Sequence, residues 1–251
     1  MLSLSNYGDE RGYSMIPKVI HYFWLGGGKK SNLTNICISS WKEKMPEYKI
    51  IEWNENNLDL DKIAEENRFF RECRKRKLWA FMVDYLRLLI LYEHGGVYMD
   101  TDVQAIKSLN PLMNNEAFIG KEAYGYLGTG MIACNKHNKV IKEVLEFYND
   151  EIWHSKLYTI PMIMTETFKR NKENDFVIYP MEYFAPYNYN EDFDYSVIGE
   201  NTYAIHWFDG SWTNDKRRIF LATKHIDNKI LRGIIVTKKY IGFYVKKFIK
   251  R

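Results

Sequence analysis

Apolar residues fall in short blocks along this chain, and their spacing changes from block to block. "KVIHYFW", Lys18 to Trp24, is a β-branched and aromatic run followed by Gly26 to Gly28. That pattern predicts a strand buried on both faces, then a tight loop. Ser31 precedes Leu33, Cys37, Trp41 and Met45 at helical spacing, with Pro46 just beyond, which predicts a capped helix. "YKIIEW" predicts a second strand, and a charged helix is expected from about Asp61 to Lys77. Then comes "LWAFMVDYLRLLILYEHGG". Nearly every position from Leu78 to Leu91 is apolar, so this helix should be buried all round and stopped by Gly95-Gly96.

Two polar residues interrupt that apolar helix. Asp84 and Arg87 are three apart and share a face. Either they form an internal salt bridge or they face a ligand cleft. A buried ion pair gains little over apolar residues, which favours the second reading. After the glycines, "VYMDTDV" reads as a strand whose period of two puts Tyr98, Asp100 and Asp102 on one face. An isolated D-x-D is more often a solvated turn. Here it stands near the end of a strand in a β/α sheet, where ligands bind. Neighbouring carboxylates repel each other, and hard oxygen donors call for Mg²⁺ or Mn²⁺ as the compensating cation.

A second unusual stretch is "YAIHWFDGSWTND", Tyr203 to Asp215, which gathers His206, Trp207, Asp209, Ser211 and Trp212 around one glycine. These are either core aromatics or an exposed loop that covers a ligand. "GGGKKS" lacks the Gly-Lys-Ser/Thr of a phosphate loop, and neither a dinucleotide-binding glycine pattern nor a G-x-S-x-G or H-E-x-x-H motif occurs.

Composition narrows the choice further. The 46% hydrophobic content excludes a disordered chain, and three scattered cysteines, Cys37, Cys73 and Cys134, match no metal spacing and suggest a reducing compartment. No apolar run has the length of a membrane span, and the first residues lack the core of a signal peptide, so a cytoplasmic protein is expected. The charge is uneven. From Ala222 onward there are nine Lys/Arg against a single acidic residue, Asp227, while the rest of the chain is net acidic. A nucleic-acid enzyme would carry its basic charge on the body as well, so no nucleic-acid partner is expected. The tail instead suits an anionic membrane surface. Its Ile230, Ile234 or Ile235, Ile241, Val245 and Phe248 recur at near-helical spacing, which leaves a helix docked on the domain as the other reading.

With "IPKVIHYFWLGG", Ser40-Trp41, "DYLRLLILYEHGGVYMDTDV" and "HWFDGSW" occurring in that order, the chain resembles the family 32 glycosyltransferases with a DXD sugar-binding region, the capsular-polysaccharide and mannosyltransferase-like group. It is more distantly similar to the glucosyltransferase domains of clostridial toxins. The resemblance implies a GT-A fold, a mostly parallel sheet flanked by helices, and retaining transfer from a nucleotide sugar, a UDP-sugar above all, to a glycan acceptor. It implies that Trp24 stacks on the base, that Asp84 and Arg87 contact ribose and donor sugar, and that Tyr98 and Asp100 hold nucleotide and sugar. Asp102 would ligate Mn²⁺ or Mg²⁺, with Asp100 beside it and His206 as a late ligand, and Ser211 and Trp212 would close over the diphosphate. Where relatives carry an asparagine, "GTGMIA" has Gly128, with Thr129 next to it. The expected organisation is a flexible N-terminus over 1–15, a GT-A domain over 16–222 and a basic amphipathic helical segment over 223–251. The expected setting is bacterial surface polysaccharide synthesis on a lipid-linked acceptor at the inner face of the membrane. The competing readings are an inactive sugar-nucleotide binder and a membrane-associated interaction protein.

Overall fold

The computed structural model describes residues 15–210 and 216–249. The predicted flexible N-terminus therefore lies almost wholly outside the described residues. In chain order the elements are β1 (Val19–Phe23), α1 (Asn32–Lys44), β2 (Lys49–Trp53), α2 (Leu60–Glu66), α3 (Arg68–Lys75), α4 (Trp79–His94), β3 (Gly96–Met99) and β4 (Val103–Ala105). They continue with β5 (Ala117–Lys121), β6 (Leu127–Cys134), α5 (Lys139–Asn149), α6 (Ile160–Arg170), β7 (Phe176–Tyr179), β8 (Ala204–His206) and α7 (Lys229–Ile249). Six strands form one sheet in the order β2-β1-β3-β6-β5-β7. Its strands run parallel except β6, which is antiparallel to both neighbours. β4 and β8 form a separate antiparallel ribbon. The mixed α/β fold with a mostly parallel sheet is thus as the sequence implied.

Alternation along the strands builds two cores. Ile20, Tyr22, Val97 and Met99 pack with Cys37, Ile38 and Trp41 of α1 on one face. Phe23 and Tyr98 pack with α3, α4 and α5 on the other. Ser31 caps α1 by accepting the Thr34 N–H at 3.1 Å, and the helix stops before Pro46. The α4 segment is buried along most of its surface, as its composition requires. Gly95 and Gly96 both have positive φ, and a Cβ on Gly96 would stand 2.7 Å from the Val19 carbonyl. Only glycine lets the chain turn so close to β1. His21 ties this corner together, with its Nε2 3.0 Å from the Gly95 carbonyl and Nδ1 accepting from the Trp53 indole at 3.1 Å. Burial lowers its pKa to about 4, so the ring is neutral at pH 7.

Two predicted elements need correction. The charged helix expected over 61–77 is broken at Asn67, which ends α2 and caps α3 by accepting the Phe70 N–H at 2.8 Å. A capping side chain competes with helix continuation, and this one is fully buried, with its amide 2.9 Å from Asn149. The strand expected through "VYMDTDV" ends at Met99, and the Val103 N–H bonds back to the Asp100 carbonyl at 3.0 Å. The D-x-D is therefore a turn. It hands the chain from the main sheet to the β4–β8 ribbon, which Trp41 holds by donating to the Val103 carbonyl at 2.7 Å.

This topology also sets where a ligand would bind. From β1 the chain crosses by α1 to β2 on one side, while β3 lies on the other, reached through α2 to α4. Helices thus cover opposite faces on either side of the gap between β1 and β3. The carboxyl ends of two such strands open a crevice.

Candidate active site

Trp24 stands at the carboxyl end of β1 and Asp100 at that of β3, so the two residues flank the crevice. Trp24 is half-buried, with its indole donating to the Gly28 carbonyl at 2.6 Å and Lys30 Nζ 5.3 Å from its ring. Its own N–H bonds to the Trp53 carbonyl.

Beneath Asp100 lies a closed ionic network. Arg87 donates to Asp84 at 3.0 Å and to the Thr129 carbonyl at 2.7 Å, and reaches the Asp100 carboxylate at 3.4 Å. Its guanidinium lies 4.4 Å from the centre of the Tyr98 ring, and the Tyr98 hydroxyl donates to Asp100. Asp84 and Arg87 are both buried. The pair is therefore an internal ion pair that also supports Asp100 from below. Burial raises Asp84 to about 7 against the pull of Arg87, and raises Asp100 for the same reason. These carboxylates depend on one guanidinium.

Asp102 is held differently. It accepts the Asp209 N–H at 3.0 Å, and its backbone carbonyl accepts from Trp207. His206, at the end of β8, lies with Nε2 3.5 Å from Asp102 and Nδ1 3.1 Å from Glu122. Burial works against charge on both Asp102 and His206. Their mutual attraction outweighs it, so Asp102 falls below the usual range and His206, helped by Glu122, rises well above. Asp100, Asp102 and His206 each bring one donor atom within 4.8 Å of the other two. Two carboxylate oxygens and an imidazole can hold a divalent cation, and the oxygen pair is the part of the set that suits Mn²⁺ or Mg²⁺. The field that favours a proton on His206 also favours a divalent cation in its place. The residues fit the metal that the resemblance implies.

Glu122 was not identified from sequence. It follows β5 without any motif, yet it orients the late histidine. A signal was present in "GTGMIA", where the strand glycines mark close approach. A Cβ on Gly128 would stand 2.7 Å from the Glu122 side chain, and one on Gly130 2.9 Å from the His206 ring. The backbone carbonyl of Thr129 accepts from Arg87, and the residue is buried. Ser211 and Trp212, expected over the diphosphate, lie outside the described residues.

A mixed α/β sheet with this crevice is the architecture of GT-A glycosyltransferases. The structure superposes on the PaToxG glycosyltransferase with a TM-score of 0.50 at 17% identity, covering 62% of this chain and 70% of that one. Residues 31–119, from the cap of α1 into β5, match the family described as "Glycosyltransferase sugar-binding region containing DXD motif", and Asp100-Thr101-Asp102 lies within that span. The chain is similar to inositol phosphoceramide mannosyltransferase 1 of Schizosaccharomyces pombe, 28% identical over 54% of this chain and 45% of that protein. It is also similar to an uncharacterized glycosyltransferase of Acanthamoeba polyphaga mimivirus, 24% identical over 84% of this chain and 90% of that protein. The match thus spans less than half the length of the yeast relative.

Proposed function

We propose that the protein is a metal-dependent, retaining glycosyltransferase that moves a sugar from a UDP-sugar to a glycan acceptor. One observation carries the reading: Asp100, Asp102 and His206 converge within 4.8 Å at the switch point of the sheet. Trp24, at the far wall of the crevice, would stack on the base. Asp102 and His206, with Asp100, would hold Mn²⁺ or Mg²⁺, which supplies charge stabilisation to a departing diphosphate. Arg87 pairs with Asp100 and orients it, and Asp84 and Tyr98 hold that arrangement rigid. Ser211 and Trp212 follow directly in the chain and are assigned to closure over the diphosphate. Attack by the acceptor hydroxyl on the same face as the leaving group accounts for retention without a covalent sugar–enzyme intermediate. The experiment is a screen of UDP-sugars for nucleotide release with Mn²⁺ and with excess EDTA. Release that requires the metal is expected. Tight UDP binding with no release from any donor would mark an inactive binder instead.

The basic tail assigns a place of work. α7 leaves Ile230, Ile234, Ile241 and Val245 more than half exposed along one side, in a segment rich in Lys/Arg. Among the described residues no helix is long and apolar enough to cross a membrane. An anionic lipid surface complements both features, with the apolar side dipping below the headgroups and each basic residue adding about 1 kcal/mol. On this reading the enzyme would work on the cytoplasmic face of the membrane, beside a lipid-linked acceptor of surface polysaccharide synthesis. In sedimentation with vesicles containing anionic lipid at low salt, the full chain should pellet and a chain ending at Thr223 should stay in solution. Equal behaviour of the two would refute the anchoring role.

A further inference from the structure

We propose that the loop from Tyr187 to Tyr195, with Trp207 and Phe208, is a stacking platform for the sugar rings of a neutral acceptor glycan. The inference rests on the transferase reading above and adds the acceptor's chemical class and its seat.

The rings form one continuous ledge. Tyr187 lies 5.3 Å from Phe193 and 5.6 Å from Phe208, Phe193 lies 5.2 Å from Tyr195 and 4.7 Å from Trp207, and Tyr189 lies 6.3 Å from Phe208. Their exposure is graded. Tyr187 is buried, Phe193, Trp207 and Phe208 are half-buried, and Tyr189 and Tyr195 are 63% and 79% exposed. A ledge with a buried root and exposed outer rings is a poor core but a well-supported surface for another ring.

The ledge is joined to the candidate metal centre. Phe208 lies over His206 with ring centres 4.2 Å apart, and the next residue, Asp209, gives its N–H to Asp102. Phe208 has a φ of +51°, a strained conformation for phenylalanine that sets its ring against His206. The loop is braced by its own polar groups. Asn188 bonds to Glu191 through both its backbone and side-chain nitrogens, at 3.0 and 2.7 Å, and Asp194 accepts the Ser196 N–H. The exposed tyrosines are thus carried on an ordered support.

Charge selects the occupant. No Lys or Arg occurs between Glu173 and Asp215, while Glu191, Asp192 and Asp194 are exposed beside the rings. A phosphate or uronic acid is repelled there, which excludes the donor's diphosphate and anionic glycans. A pyranose matches what remains: its C–H face packs on aromatic rings, and its hydroxyls donate to carboxylates.

The test is saturation-transfer NMR on the full chain with lactose, maltose, mannobiose and N,N′-diacetylchitobiose, and with a glucuronate-containing disaccharide as the anionic comparator. At least one neutral disaccharide should bind, and more tightly than the comparator. The Tyr189→Ala/Tyr195→Ala double variant, checked for wild-type circular dichroism, should weaken that binding about tenfold. A Tyr189→Phe/Tyr195→Phe variant should restore most of it. No binding by any neutral member, equal binding by the alanine variant, or preference for the anionic sugar would each overturn the proposal. Wild-type UDP release is scored separately. Its absence alongside intact disaccharide binding would refute the transferase reading and leave the sugar platform standing.

Discussion

Asp102→Asn is expected to lower metal-dependent nucleotide release by about 10²- to 10³-fold while leaving the fold intact. The carboxylate sits where three arrangements meet: the D-x-D turn, the Asp209 N–H and the Nε2 of His206. Asparagine keeps the shape and can still accept from Asp209. It removes the charge that offsets His206 in the free protein and that would hold a cation in the working enzyme. The loss should appear in kcat more than in UDP affinity, because charge on the leaving group grows in the transition state. Calorimetric titration with Mn²⁺ supplies a second readout, in which the variant should bind metal far more weakly. Undiminished turnover together with wild-type Mn²⁺ affinity would remove Asp102 from the metal site.

The second large effect is on stability. Arg87→Leu should destabilise the fold by about 3–5 kcal/mol in urea unfolding, the usual cost of leaving buried charge without its partner. Arg87 is the shared cation of Asp84 and Asp100, and both are already raised by burial. Without it the Thr129 carbonyl also loses its donor. Adding Asp84→Asn to Arg87→Leu should recover part of the loss, since one of the two stranded carboxylates is then neutral. Two single changes whose costs simply add would show that Asp84 and Arg87 do not act as a unit.

Reading the chain alone went furthest where one face of an element repeats a single demand. Ser31, Cys37 and Trp41 mark the cap and the buried stripe of α1, and the apolar run through Leu88 marks α4 as interior. Glycine at 95 and 96 marks the stop because no other residue fits the turn. The same reasoning failed at Asn67, where a buried side chain outbids helix continuation, and at Asp100 to Asp102, where a turn replaces strand alternation. In the second case the outcome for Tyr98 and Asp100 was nevertheless the same, since both lie at the end of β3 and are hydrogen-bonded.

What local sequence determined about this protein, then, is its α/β character, the buried helix with its ionic pair, the D-x-D with its two neighbouring carboxylates, and the uneven charge of its tail. Each is written in the period or composition of a contiguous stretch. What only the tertiary structure decided is which distant groups meet the D-x-D. His206 reaches Asp102 because β8 pairs with β4, and Glu122 reaches His206 because Gly128 and Gly130 clear the space between them. The aromatic loop from Tyr187 to Tyr195 comes beside the site through Phe208 and Trp207. Such contacts join residues some eighty or a hundred positions apart. They depend on strand pairing and on the volume left by absent side chains, and neither leaves a periodic trace in the chain.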